Sequence, residues 1–148
     1  ATAKGIAYAL QKPLIGLSTL GALAAAAVQL SPTTIELSTQ IFAMIDARRM
    51  EIFGAIYDTS INPKVQEQSM VLDQTKWNSL INQPTICIGN GHHKTKDFAS
   101  THNMTYLDGS YSSQILLDLA MEKWTAGQFE ELAYVGPNYL KEVYILPK

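Results

Sequence analysis

The sequence predicts an α/β domain built around a mixed β-sheet with helices on its faces. Three observations indicate this class: apolar runs typical of buried strands at residues 41–45 and 85–89, a hairpin pattern after the first run, and helical spacing of apolar residues elsewhere. Strands separated by helices imply parallel pairing, and the hairpin adds an antiparallel neighbour. With 148 residues, 47% of them hydrophobic, the chain can bury the core of such a domain.

The first third of the chain reads as helix, strand and helix. Residues 1–10 are predicted to be helical but have no capping residue before them, and the chain has no initiating Met. We therefore expect the natural protein to extend upstream. A short strand is predicted at 14–17, and Ser18 or Thr19 then caps an Ala-rich helix at about 20–29 that stops before Pro32.

Residues 41–58 predict a β-hairpin with a charged tip. The first run, 41–45, has no polar residue and suits a strand buried on both faces, while Ile52, Gly54 and Ile56 alternate with Phe53, Ala55 and Tyr57 in the second. Between the two runs lie the charged residues of the tip, which are Asp46, Arg48, Arg49 and Glu51. These charges are expected to occupy the turn.

The remaining elements follow in order along the chain. A polar loop is predicted through 62–64, and then a short helix at about 75–81 with Asp73 as its cap. The strand at 85–89 leads into a helix predicted for 92–100 and a last strand at 104–107. Finally, the region 112–126 has apolar residues at helical spacing, and the helix is expected to end at Gly127.

Composition limits the classes of function. The formal net charge is -2 and the pI is about 5.9, so the chain has no basic footprint and tight RNA binding by the chain alone is not expected. A single cysteine, Cys87, excludes an internal disulfide and fits a reducing compartment, which predicts a cytoplasmic protein with no membrane contact. The uncharged segment 13–30 also has the pattern of a targeting segment, which remains the alternative to the strand and helix.

The charged tip of the hairpin is the first candidate site. The guanidinium groups of Arg48 and Arg49 match the geometry of a phosphate or carboxylate, so these two residues are a candidate anion contact. A solvated turn with exposed ion pairs explains the same residues, and such pairs are individually worth only about 0–1 kcal/mol.

Three further patterns have weaker functional readings. His92 and His93 suggest a metal, but adjacent histidines point about 100° apart and no HExxH or CxxC spacing is present, so a polar helix start is favoured. The Gly89 and Gly91 pair after a strand could approach a phosphate, although a plain turn explains it better. Cys87 between two isoleucines reads as core. The residues alone predict no catalytic set and no metal site.

Four segments resemble the TsaB/YeaZ family. They are ATAKGIAYAL, KPLIGLSTLGALA, IDARRMEIFGAIYD and GPNYLKE, and they occur in the family's order over nearly the whole chain, with a loose match at 59–104. The resemblance implies an actin-like, sugar-kinase-like (ribonuclease H-like) α/β fold in two lobes. Residues 1–35 would then be a remnant of the N-terminal lobe and 36–148 the C-terminal lobe, with most of the N-terminal lobe missing.

What the resemblance implies about function is a partner role. Family members pair with TsaD, which transfers threonylcarbamoyl to adenosine 37 of tRNA, together with the ATPase TsaE; ATP and metal are expected on those subunits and none on this chain. tRNA would be reached only through the complex. Partner contact is expected through the first helix at Ala3, Ala7 and Tyr8. A homodimer, a stand-alone nucleotide- or phosphate-binding protein, and a metallopeptidase, as the older glycoprotease label suggests, remain alternatives.

One departure from the family pattern bears on the hairpin tip. Where the family usually has Gly after its paired basic residues, this chain has Met50. If that position needs a positive φ, the side chain costs about 1 kcal/mol or more, and the turn is expected to be rebuilt locally.

Overall fold

The computed structural model describes residues 1–31, 35–98, 100 and 102–141. The predicted helix stop Pro32 and the last residue of the GPNYLKE motif, Glu142, lie outside these ranges. In chain order the elements are α1 (Thr2–Ala9), α2 (Thr19–Leu30), β1 (Gln40–Asp46), β2 (Glu51–Tyr57), β3 (Pro63–Val71), α3 (Gln74–Leu80), β4 (Thr85–Ile88), a 3₁₀ helix (His92–Thr95), β5 (Met104–Leu107) and α4 (Ser113–Thr125).

The sheet has five strands in the order β3-β2-β1-β4-β5. β1 and β2 form the predicted antiparallel hairpin, with Ile41 opposite Tyr57 and Asp46 opposite Ile52. β4 lies parallel to β1 on its other side, and β5 lies parallel to β4. The mixed sheet predicted from the sequence is therefore confirmed, and β1 is its central strand.

Side chains of β1 alternate between two cores, one on each face of the sheet. Ile41 and Ala43 pack with the Ala-rich helix α2 and with Ile115 of α4. Phe42 and Met44 pack on the opposite face with Trp77 of α3. A strand between two helical layers needs apolar residues at every position, which explains why residues 41–45 contain no polar side chain.

Two helix starts follow the predicted capping chemistry: Ser18 accepts a hydrogen bond from the Gly21 amide at 2.9 Å, and Asp73 accepts from the Lys76 amide. At the start of α4, where no cap was predicted, Ser112 accepts from the Ile115 amide. Each bond satisfies one of the amides that a first helical turn leaves without a partner. At its other end α4 stops before Gly127, which has a φ of +66°, as predicted.

The segment 14–17 is not a strand, contrary to the prediction. No described strand pairs with it; instead the Leu14 carbonyl accepts from the Glu130 amide at 2.8 Å, and the Gly16 carbonyl accepts from the Lys123 ammonium at 2.7 Å. These two carbonyls therefore bond to α4 and to the segment after it. Two isolated hydrogen bonds to non-strand residues do not make the segment a β-strand.

Two other predictions about elements are corrected. β3 occupies Pro63–Val71, where the sequence predicted a polar loop at 62–64 and no strand. It is an edge strand, so Pro63 can begin it without breaking a ladder. The helix predicted for 92–100 is a single 3₁₀ turn at His92–Thr95. Among the described residues no helix has both the length and the apolar character needed to cross a membrane.

Candidate functional site

The carboxyl ends of the parallel strands β1 and β4 meet at a polar cluster centred on Asp46. Asp46 ends β1, and its backbone amide donates to the Asn90 side chain at 2.9 Å. One carboxylate oxygen accepts from the Arg48 amide and from the Lys94 ammonium, both at 2.6 Å. Because the ends of parallel strands are where α/β proteins bind ligands, this edge is a natural place to look for a site.

Internal bonds satisfy most of this cluster. The Lys94 ammonium, which is largely buried, also donates to the Glu51 carbonyl at 2.8 Å, and so ties the hairpin to the 3₁₀ turn. His93 lies 3.6 Å from the second oxygen of Asp46. The hydrogen bond from Lys94, followed by that from the Arg48 amide, lowers the pKa of Asp46 below its ordinary value. The main role of these bonds is therefore structural: they hold the tip of the hairpin against the 3₁₀ turn.

The pKa of Asp46 predicts how stability depends on pH. Because the folded state lowers this pKa below 3.8, ionised Asp46 stabilises the fold above that value, and the contribution is lost as the pH falls through the folded pKa. We expect Asp46→Asn to lower the free energy of unfolding at about pH 6 and to cause a smaller loss at about pH 3. Urea unfolding at the two pH values measures this.

The exposed carboxylate of Asp97 provides the control for that experiment. Asp97→Asn removes a carboxylate that has no hydrogen bond or ion pair within the described part of the chain. A difference between wild type and Asp46→Asn that is the same at both pH values, or one matched by Asp97→Asn, would contradict the assignment.

Arg48 and Arg49 form the hairpin tip in an unusual backbone conformation. Their φ angles are +67° and +50°, and Met50 is not among the residues with positive φ. In this turn the two arginines, and not Met50, take the left-handed region, at about 1–2 kcal/mol each. Neither guanidinium has a hydrogen bond or ion pair to another described residue. Their role as an anion contact stays a prediction.

The glycine turn after β4 is not an open phosphate cradle. The Gly91 amide donates to the Met44 carbonyl at 3.1 Å, the His92 amide to Gly89, and the Lys94 amide to Gly91. A phosphate site of this type needs such amides to be free to donate. The bonds support the plain turn over the nucleotide site.

The histidines point to different neighbours. His92 is buried and lies 2.6 Å from the Gly89 carbonyl and 3.1 Å from an oxygen of Asp108, whereas His93 faces Asp46. Across the described ranges, no three histidine, cysteine, aspartate or glutamate side chains lie close enough to share a metal ion. Cys87 is fully buried, and burial raises the pKa of its thiol well above the ordinary value, as expected for a core residue.

Helix α1 presents a second candidate surface. Of the three residues predicted to contact a partner, Ala7 is only 6% exposed, whereas Tyr8 is 79% exposed and Ala3 is exposed; their role in partner contact stays a prediction. Lys4 fastens the helix to the rest of the chain by donating to the Val135 carbonyl at 2.9 Å. Ala7 and Lys4 thus mark the inward side of α1.

The outward side of α1 is a strip of small residues with a large apolar side chain on each edge. Gly5 and Ala9 each lie two positions from Ala7, about 160–200° around the helix axis, and both are exposed. A methyl group built on Gly5 would meet nothing within 4 Å. Ile6, 57% exposed, and Tyr8 flank this strip, which we call the α1 face (Gly5, Ile6, Tyr8, Ala9).

A third feature is a cavity of about 640 Å³ at the start of α2. Its polar centre is Glu67 of β3, which accepts hydrogen bonds from the Ser18 hydroxyl, from the Tyr57 hydroxyl at 3.3 Å and from the Asn138 amide at 3.2 Å. Burial is the main cause that raises the pKa of Tyr57 to about 12, so its hydroxyl stays protonated. The Ser18 hydroxyl thus accepts from the first turn of α2 and donates to Glu67, so Glu67 holds the capping side chain in place.

Sequence reasoning missed Glu67 because it missed β3. Val65, Glu67 and Ser69 are half-buried while Lys64, Gln66 and Gln68 are exposed, as the period of a strand requires. That alternation was the available signal, but the polar character of both faces hid it.

Strand order and direction define the class of protein. A five-stranded mixed sheet in the order β3-β2-β1-β4-β5, with an antiparallel meander followed by parallel strands and helices on both faces, is the actin-like, ribonuclease H-like α/β lobe that the resemblance implied. The family model for TsaD, described as tRNA N6-adenosine threonylcarbamoyltransferase, matches residues 1–82. The chain belongs to this family.

Solved structures show the same fold. A protein of Pseudomonas aeruginosa described as similar to peptidase YeaZ superimposes with a TM-score of 0.70 at 22% identity, covering 93% of this chain and 63% of that one. YeaZ from Pseudomonas aeruginosa gives a TM-score of 0.67 at 23% identity, with the same 93% and 63% coverage. No curated protein sequence matches this chain. The resemblance to the TsaB/YeaZ family is thus confirmed in family and fold, over a chain that spans 63% of those structures.

Proposed function

We propose that the protein is a non-catalytic scaffold and activator subunit that pairs with a TsaD-like subunit in the N6-threonylcarbamoyl modification of adenosine 37 in tRNA. Membership of the TsaD family and the fold shared with YeaZ support a place in this modification. In this proposal ATP and metal act on the partner subunits, which include a TsaE-like ATPase, and the complex works in the cytoplasm.

The observation that carries the proposal is the α1 face. A strip of Gly5 and Ala9 allows the backbone of a second helix to approach closely, and Ile6 and Tyr8 on either side would lose water-exposed apolar area when it does. In the isolated chain these two large side chains stay mostly exposed. A helix of similar shape on the TsaD-like subunit would cover them.

The charge of the chain supports an indirect contact with tRNA. At a net charge of -2 the protein lacks the excess of basic residues that would hold a polyanion, so the partner supplies the tRNA affinity. Residues 1–35 and 36–148 remain proposed as parts of two lobes, with α1 in the first, although α2 packs on the sheet of the second. The partner-contact residues proposed now are Gly5, Ile6, Tyr8 and Ala9, with Ala3 at the border.

Complex formation tests the proposal. When the protein is titrated into the TsaD-like subunit of the same organism, we expect a heterodimer with a dissociation constant in the micromolar range or below, measured by calorimetry and analytical ultracentrifugation. Ultracentrifugation of the protein alone separates this outcome from a homodimer that buries the same face. Absence of a complex at concentrations well above micromolar would contradict the proposed role.

A further inference from the structure

The outward side of α4 carries a stripe of large apolar side chains. Leu117, Met121 and Trp124 are 54%, 52% and 52% exposed, and their spacing of four and then three residues places them within about 60° of one another around the helix axis. Phe129, just after the helix, is 44% exposed, and its ring lies 5.3 Å from that of Trp124, measured between centroids. We call these four residues the α4 seam; none of them belongs to the α1 face.

The α4 seam lies apart from the side of α4 that packs on the core. Ile115 is 4% exposed, and Leu119 packs against the same cluster of buried residues. The fold therefore buries one apolar side of the helix and leaves the other about half exposed. Spacings of four and three residues between apolar side chains are those by which helices pair in coiled coils. From this arrangement we propose that the α4 seam is a homodimer interface, in which α4 of a second copy packs antiparallel against it.

The α4 seam is complementary to itself in this arrangement. A two-fold interface pairs one surface patch with the same patch of the second copy. With the axis near Met121, Leu117 of each copy lies opposite Trp124 of the other, so a smaller side chain meets a large ring on both sides of a flexible methionine. Asp118, on one flank of the seam, then faces Thr125 of the second copy and not its own counterpart, which keeps the like charges apart.

The exposed area of the α4 seam suits a reversible dimer. A fully buried aromatic side chain removes about 150–250 Å² from water, so four large side chains that are about half exposed offer roughly 300–400 Å² per copy. A standard stable interface buries about 800 Å² per partner. The seam thus supplies about half of that area as an apolar centre, and the polar residues Gln114, Asp118 and Thr125 beside it supply part of the rim. We expect a dissociation constant on the order of 10 µM.

Sedimentation equilibrium of the protein alone measures this association. Over about 1–200 µM we expect a monomer at the low end and a dimer at the high end. Met121→Lys places two like charges at the axis and should weaken the dimer at least tenfold, whereas Met50→Lys, the same change at another exposed methionine, should leave it unchanged. Gly5→Leu should also leave it unchanged, so the dimer and the proposed pairing through α1 are tested separately.

Disulfide cross-linking tests the antiparallel arrangement. Cys87, the single cysteine of the chain, is 0% exposed, so cysteines introduced on the surface react without interference. Oxidation of a mixture of Asp118→Cys and Thr125→Cys chains should yield the mixed dimer at least fivefold faster than either chain alone forms a dimer. A monomer over the whole concentration range, a dimer unaffected by Met121→Lys or lost in Gly5→Leu, or no preference for the mixed cross-link would overturn the proposal. So would loss of binding to the TsaD-like subunit in Met121→Lys, because the seam would then belong to that contact.

Discussion

Replacing Gly89 with alanine is expected to destabilise the protein by about 2–5 kcal/mol. Gly89 has a φ of +94°, and a methyl group there would lie 2.3 Å from the Met44 carbonyl oxygen and 3.0 Å from Leu23. The carbonyl belongs to the central strand and already accepts from the Gly91 amide, so it cannot move aside. Thermal unfolding should show a melting temperature lower by on the order of 10 °C.

Substitutions at two other glycines serve as controls that distinguish the cost of a positive φ from the cost of a steric clash. Gly127 has a φ of +66° but open space around it, so Gly127→Ala should cost only about 1 kcal/mol. Gly136 has open space and no positive φ, so Gly136→Ala should be nearly neutral. If Gly89→Ala lost no more stability than Gly127→Ala, the close packing described for the turn after β4 against β1 would be contradicted.

Trp77→Ala is expected to cost about 3–5 kcal/mol, a large part of a total stability of about 5–15 kcal/mol. Trp77 is 0% exposed and fills the core on the α3 face of the sheet. Its ring lies 6.1 Å from that of Phe42 and 5.7 Å from that of Phe98, measured between centroids. Urea unfolding followed by circular dichroism measures the loss without interference from the other tryptophan, Trp124.

Trp77→Phe is the matched variant for this core. The indole N–H of Trp77 finds no acceptor among the described residues, so phenylalanine removes an unsatisfied donor while it keeps an aromatic ring in place. We expect Trp77→Phe to lose less than half as much stability as Trp77→Ala. Equal losses would mean that the ring contacts do not carry the effect.

The central elements could be predicted from local sequence because both faces of the sheet are covered. A run such as residues 41–45, with no polar side chain, has few explanations other than a buried strand. The caps Ser18 and Asp73 could also be predicted, since a short polar side chain directly before a helical segment has a specific bonding role.

Edges and connections could not be predicted in the same way. β3 is an edge strand with polar residues on both faces, and its identity depends on pairing with β2, which no local pattern specifies. Residues 14–17 have a strand-like composition, but whether a strand forms depends on a neighbour to pair with. The cavity at the start of α2 could not be predicted for the same reason, because Glu67 comes from β3 and Glu130 from the irregular segment after α4.

The orientation of α1, the helix on which the family resemblance places partner contact, could not be predicted from the sequence. In the structure Tyr8 is exposed and Ala7 is buried. The sequence does not determine which side of an eight-residue helix faces the protein when small residues occur all round it. The burial of Ala7 and the hydrogen bond from Lys4 to Val135 show which side of α1 faces inward, and with it the outward position of Gly5.

Gly5→Leu tests the central claim most directly. Nothing lies within 4 Å of a side chain begun at Gly5, and leucine favours a helix over glycine by about 1 kcal/mol, so the free protein should be as stable as wild type or more so. On the α1 face, however, the added side chain would keep a partner helix from approaching. Calorimetric titration into the TsaD-like subunit should show affinity weakened at least a hundredfold, with Gly136→Leu, in open space elsewhere, unchanged. Wild-type affinity in Gly5→Leu would contradict partner binding through α1.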